Sequence, residues 1–203
     1  MTKRGCFITF EGGEGAGKST QIRLLKAELE ARGYAVCATR EPGGDALAEG
    51  IRSLLLSQKM PSRAELLLFL AARAQNVETV VRPHIEAGHI VLCDRFTDSS
   101  IAYQGVARGL GRDSVATLND FATNHLVPDL TLLLDISPEV GLSRQQDKNR
   151  MEAEGLDFHQ KVRQGFLEEA DRDPKRFRVI SAEENIESLH AKIVQIVLDV
   201  LQS

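Results

Sequence analysis

Residues 12–19 read Gly12-Gly13-Glu14-Gly15-Ala16-Gly17-Lys18-Ser19, and the apolar run Cys6-Phe7-Ile8-Thr9-Phe10 leads directly into them. An amphipathic stretch opens at Thr20. This is the pattern G-x-x-x-x-G-K-[ST] in the strand–loop–helix setting that its chemistry needs. Glycines let the backbone turn successive N–H groups toward a polyphosphate, Lys18 reaches the β- and γ-phosphates, and the Ser19 hydroxyl is placed to ligate Mg²⁺. The following helix adds its positive N-terminal end. A nucleoside triphosphate site over Gly12 to Thr20 is the expectation.

Outward from this loop, apolar runs recur at 35–39, 90–93, 130–136 and 177–180. Near-continuous runs such as Thr131-Leu132-Leu133-Leu134 suit strands buried on both faces of a parallel sheet. Between them lie helical patterns. Residues 20–32 place Ile22, Leu25 and Leu29 on one face and stop at Gly33. Ser62 with Glu65 resembles a capping box opening a long helix to about residue 87, ended by Gly88. Further helices are expected from Asp113, from Pro138 after Ser137, and over 185–201. Strands alternating with helices predict an α/β, doubly wound, five-stranded parallel sheet flanked by helices.

The chain has 203 residues and a formal net charge of −4, which suits one domain, 1–203, with a substantial core. A net negative balance argues against nucleic-acid or membrane surfaces as partners, because those select a strong basic excess. Affinity for anions therefore has to come from local clusters of Arg and Lys. Cys6, Cys37 and Cys93 are odd in number and lack metal-ligand spacing, so reduced core thiols in a cytoplasmic protein are expected. No stretch approaches the length of a membrane span, and no signal-peptide pattern precedes the first strand.

Phosphoryl transfer rests mainly on positioning and electrostatics, so arginines and carboxylates at strand ends are the residues to find. Val91-Leu92-Cys93 ends in Asp94-Arg95, a carboxylate for Mg²⁺ and a fork for a phosphate. An Asp–Arg surface pair is the plainer reading. Thr39-Arg40-Glu41-Pro42-Gly43-Gly44 is a forced turn that presents Arg40 and Glu41 to the same crevice, or a simple connection. Glu11 closes the first strand beside the loop, as a further carboxylate or as a structural cap. Phe69 and Arg73 share a helix face, fit to hold a planar base or to fill the core. Ser99, Ser100, Tyr103 and Gln104 follow closely on Asp94-Arg95. The polar run 145–155 reads either as a solvated helix end or as a lid over phosphates.

Together these residues resemble the thymidylate kinase family. The likeness runs from F-I-T-F-E-G-G-E-G-A-G-K-S-T through T-R-E-P-G-G, L-L-F-L-A-A-R, D-R-F-T-D-S-S-I-A-Y-Q-G and P-D-L-T-L-L-L-D to a segment with R-M-E, nearly the whole chain. It implies a P-loop nucleoside monophosphate kinase architecture with a short lid at about 144–156. The implied reaction moves the γ-phosphoryl of ATP to dTMP with Mg²⁺, in a homodimer. By position, Phe69 would stack on thymine and Arg73 would bond its edge. Ser99, Ser100 and Gln104 would contact the substrate, and Tyr103 would exclude a ribose 2′-hydroxyl. Arg95 and Arg40 would hold the dTMP phosphate beside Glu41 and Pro42, while Glu11 would stand near acceptor and metal. Arg144 would lie near adenine. Some members carry an arginine inside the phosphate loop; here Gly13, Glu14 and Ala16 stand there, so the bacterial-type arrangement assigns the transferred group to Arg150 or Lys148. Another small-acceptor kinase is the nearest alternative. A GTP-dependent switch would need an N-K-x-D element, which the sequence lacks, and a non-catalytic regulatory module fits the Asp94-Arg95 and lid cations poorly.

Overall fold

The computed structural model describes residues 5–144, 150–151 and 153–202. Five strands form one sheet: β1 (Cys6–Glu11), β2 (Val36–Arg40), β3 (Ile90–Asp94), β4 (Leu130–Asp135) and β5 (Phe177–Ser181). Their order is β2-β3-β1-β4-β5 and every pairing is parallel. The strands carry apolar residues on both sides, so alternate positions feed different cores. Ile8, Phe10, Leu92, Leu132 and Leu134 enter one cluster with Leu25, Leu29, Ile193 and Val197. Phe7, Val91 and Cys93 enter another with Val77, Val81 and Phe96 on the opposite side. Burial on both faces requires a helical layer on each, as the apolar runs predict.

Described helices are α1 (Lys18–Ala31), α2 (Ala46–Ser57), α3 (Ser62–Asn76), α4 (Arg82–Glu86), α5 (Thr97–Ser100), α6 (Arg112–Thr123), α7 (Pro138–Ser143), α8 (Leu156–Arg172) and α9 (Ile186–Gln202). Gly33 and Gly88 end their helices at φ 87° and 84°, a left-handed conformation that glycine reaches without strain. Ser137 caps α7 by accepting the Val140 N–H, and Asn185 Oδ1 accepts the Ser188 N–H at 2.8 Å at the start of α9. Of the cysteines, Cys93 is buried and Cys6 and Cys37 are half-buried. No described helix is long and apolar enough to cross a membrane.

Two expectations need correction. The long helix to residue 87 is interrupted by a π-helical segment, Val77–Val81, between α3 and α4. Pro83 lacks an N–H for the carbonyl four residues earlier, and a widened turn just before it accommodates the ring. The capping box at Ser62 does not form. Pro61 is the N-cap residue, no side chain caps the helix, and Glu65 turns inward to distant partners.

Candidate active site

The C-terminal ends of β1, β2 and β3 set the site. Register places Phe10, Asp94 and Arg40 level across the three strands, so the segments that follow converge. The phosphate loop then doubles back into α1. Gly12 and Gly15 adopt φ 135° and 70°, and a Cβ on them would lie 2.3 Å from the Leu134 carbonyl oxygen and 2.1 Å from that of Gly141. The loop is therefore pressed against β4 and α7, where no side chain fits.

Lys18 Nζ donates to the carbonyls of Gly12 at 3.0 Å and Gly13 at 2.9 Å. Burial, then the nearby Arg95 charge, lowers its pKa. Ser19 Oγ donates to Asp94 Oδ2 at 2.7 Å. A cleft over the loop is lined by Gly15, Ala16, Gly17, Lys18, Ser19 and Thr20, with Arg40, Asp94 and Arg144 around it. Arg144 Nη1 donates to the Gly15 carbonyl at 3.1 Å and to that of Ala182 at 3.2 Å.

A second cleft opens between α3 and the segment after β3. Phe69, Arg73, Ser99, Ser100, Tyr103 and Gln104 line it, with Pro42, Leu56 and Met151. Glu14, Glu41, Arg52 and Arg95 line both clefts, so they form a shared wall. Arg73 is 1% exposed. Its Nε donates to Glu41 at 2.6 Å, Nη1 to Ser100 at 2.9 Å and Asn119 at 2.5 Å, and Nη2 to the Phe96 carbonyl at 2.9 Å. A guanidinium carries five N–H donors, so one Nη2 hydrogen is left for a ligand.

Arg95 sits at φ 70°, a costly conformation for a residue with a side chain. Its N–H is held by the Phe10 carbonyl at 2.9 Å, and the next N–H, of Phe96, donates to Glu11 at 2.7 Å. The guanidinium donates to the Gly12 carbonyl at 3.1 Å, Ser99 Oγ at 3.1 Å and Glu14 at 2.8 Å. Tyr103 lies under it, 5.0 Å from ring centre to guanidinium carbon, and gives its hydroxyl to Glu14 at 2.7 Å. Burial would raise the Glu14 pKa, but Arg95, Lys18 and the Tyr103 hydroxyl outweigh it and push the pKa down to about 2.

Three residues sit differently from the roles that the family resemblance implies. Glu11 is fully buried and lines neither cleft; both of its oxygens are engaged, by the Phe96 N–H and by Ser99 Oγ at 2.5 Å. It shapes the Arg95 turn from beneath. Of these two clefts Arg40 lines the phosphate cleft and not the second, and it pairs with Glu49 at 3.0 Å. Arg150 lines neither cleft: Nη1 meets Glu65 at 2.7 Å and Nε donates to the Leu55 carbonyl at 2.9 Å. Its guanidinium is thus paired with the buried Glu65 side chain. Lys148 and most of the 145–155 run lie outside the described residues. Arg52, which donates to the Pro42 carbonyl at 3.0 Å, was not singled out in the sequence, nor were Leu56 and Met151.

The family model described as "Thymidylate kinase" matches residues 10–193. Among curated relatives, thymidylate kinase of Bacillus pumilus (strain SAFR-032) is 46% identical over 98% of this chain and 97% of its own length. That of Geotalea uraniireducens (strain Rf4) is 48% identical over 96% and 97%. That of Desulfovibrio desulfuricans (strain ATCC 27774) is 51% identical over 87% of each. With identity at this level along nearly the full length, and a phosphate loop facing a cleft walled by arginine and aromatic side chains, the chain belongs to the thymidylate kinase family.

Proposed function

We propose that this chain transfers the γ-phosphoryl group of ATP to dTMP, giving dTDP and ADP. The observation that carries this is the shared wall. A triphosphate cradle and a base-sized cleft meet end to end at Glu14, Glu41, Arg52 and Arg95. Two nucleotides bound there would bring their phosphates together beside two guanidinium groups.

The acceptor is a phosphate oxygen, already anionic near neutrality, so no strong base is required. Repulsion between two polyanions is the obstacle. Lys18 would hold the ATP phosphates, while Arg95 and Arg52 would hold the acceptor phosphate. Arg40 joins them on leaving Glu49. Phe69 would stack on the base, Arg73 would donate its remaining hydrogen to the base edge, and Arg144 would border adenine. Ser19 and Asp94 offer adjacent hard oxygen ligands, the donor type Mg²⁺ selects, at the mouth of the loop. When bound, Mg²⁺ neutralises charge on the β- and γ-phosphates.

An ADP-release assay over dTMP, dUMP, UMP, dCMP, AMP and GMP tests the reading. The highest kcat/KM is expected for dTMP, and preference for any other acceptor rejects it.

The proposal includes a cytoplasmic homodimer. Leu47 and Leu54 on α2, Leu67 on α3, and Leu118 and Phe121 on α6 are exposed, Phe121 at 85%. These helices lie side by side, α2 on α3 and α3 on α6. An apolar face of this kind is covered in most soluble proteins. Sedimentation should show a dimer that Phe121→Lys dissociates; a monomeric wild-type chain would refute it.

A further inference from the structure

Glu65, Phe69 and Arg73 fall on one face of α3 at intervals of four residues. Phe69 and Arg73 line the acceptor cleft, and Glu65 lies one turn earlier, beneath it, with only 1% of its surface exposed. Its Oε1 accepts the Gln104 amide at 2.9 Å and faces Arg108 Nε at 3.5 Å. Its Oε2 faces Arg150 Nη1 at 2.7 Å. Two guanidinium groups thus accompany one buried carboxylate, and the remaining partner is the amide of a residue that lines the cleft.

That amide has two ends of opposite character. A carboxylate only accepts hydrogen bonds, so Gln104 must turn its NH₂ toward Glu65. The carbonyl oxygen is then the end left for a ligand. Without the carboxylate, the amide torsion is roughly two-fold and either end can face the cleft. A carbonyl matches a pyrimidine that carries a ring N–H, as thymine does at N3. Cytosine presents a lone pair at the same position, and two acceptors would oppose one another.

We infer that Glu65 is a specificity-determining positioning residue, which locks the Gln104 amide with its carbonyl toward the base and so discriminates against cytosine nucleotides. The inference rests on the dTMP reading and deepens it. Arg108 and Arg150 hold the carboxylate in place. A specificity built on a buried acceptor exceeds what shape alone gives between two pyrimidines of similar size.

The test compares dTMP with dCMP, by kcat/KM or, where dCMP turns over too slowly, by competition against dTMP. In Glu65→Gln the side chain at 65 can meet either end of the Gln104 amide, and the dTMP:dCMP ratio is expected to fall about 10-fold or more. A merely structural defect would lower both substrates together and leave the ratio unchanged. In a Gln104→Ala background, adding Glu65→Gln should leave the ratio within about twofold, because the element it orients is gone. Glu65→Asp retains a carboxylate but draws both oxygens back by one methylene, lengthening the bond to Gln104, so it should show the same loss if Glu65→Gln fails to fold. An unchanged ratio in a folded Glu65 variant, or an equal change without Gln104, overturns the inference. A wild-type enzyme that phosphorylates another acceptor and leaves dTMP untouched overturns the underlying reading instead, and the inference with it.

Discussion

Lys18 and Arg95 donate to the same acceptor, the Gly12 carbonyl oxygen, at 3.0 Å and 3.1 Å. One cation belongs to the start of α1 and the other to the turn after β3. A single backbone atom therefore registers the start of α1 against the turn after β3, and with it the phosphate-loop cleft against the second cleft. The Arg95 charge helps to lower the Lys18 pKa, and Asp94, Glu14 and Glu11 oppose that effect. Phosphates entering between the two cations would supply counter-charge where it is most favourable.

Arg95→Lys keeps the charge but loses the fork that reaches Gly12, Ser99 and Glu14 at once. An ammonium is a point charge and cannot span these acceptors. The expected result is a fall in kcat of about 100-fold or more, with ATP affinity little changed. Steady-state kinetics with both nucleotides varied reads this directly. A loss smaller than about tenfold would mean that Arg95 positions nothing the charge alone cannot.

Tyr103 carries two separable functions. Its ring packs on Phe158 and Phe166 and supports Arg95, while its hydroxyl bonds Glu14. If the ring excludes a ribose 2′-hydroxyl, Tyr103→Phe retains deoxyribose preference and Tyr103→Ala loses it, by about tenfold or more. The ratio of kcat/KM for dTMP over its ribonucleotide counterpart measures both. Equal ratios in the two variants would assign discrimination elsewhere.

Glu11 has its pKa raised from 4.5 to about 7, first by burial and then by the Asp98 charge, against Ser99, Arg95 and the Phe96 N–H. Between those two values the native chain holds a proton that the unfolded chain has released. Stability from this group is full below 4.5 and is lost as pH rises through about 7. At about 1.4 kcal/mol per pH unit the loss is on the order of 3 kcal/mol. Glu11→Gln should flatten the dependence of urea midpoints between pH 5 and 7.5. A slope identical to wild type would place the titration on another group.

What the sequence disclosed and what it hid divide by distance along the chain. The loop at 12–19, the turn after Arg40 and the Asp94-Arg95 step were legible because strand, turn residues and chemistry are contiguous there. Arg52 was not, since its link to the site is a bond to the Pro42 carbonyl from the middle of α2. Glu65 was misread for the opposite reason. Its local pattern with Ser62 imitates a capping box, but Gln104, Arg108 and Arg150 claim it from 39 to 85 residues along the chain, a distance that no local signal connects. Arg73 was legible as a pocket residue, yet its four protein acceptors come from separate elements and only the fold assembles them.

Arg150 separates two accounts of charge stabilisation. The family resemblance assigns it to the transferred phosphoryl group, but here its guanidinium bonds Glu65 and the Leu55 carbonyl, beside Met151 at the acceptor cleft. To touch the phosphoryl it would have to abandon a buried carboxylate, and breaking such a pair costs about 3–5 kcal/mol. Arg52 and Arg95 already stand on the shared wall. Arg150→Ala is therefore expected to raise KM for dTMP about tenfold and to lower kcat by less. Single-turnover measurements at saturating dTMP isolate the chemical step. A hundredfold fall in that step with dTMP affinity intact would show Arg150 leaving Glu65 to act on the phosphoryl, and would return the transition-state charge to the lid.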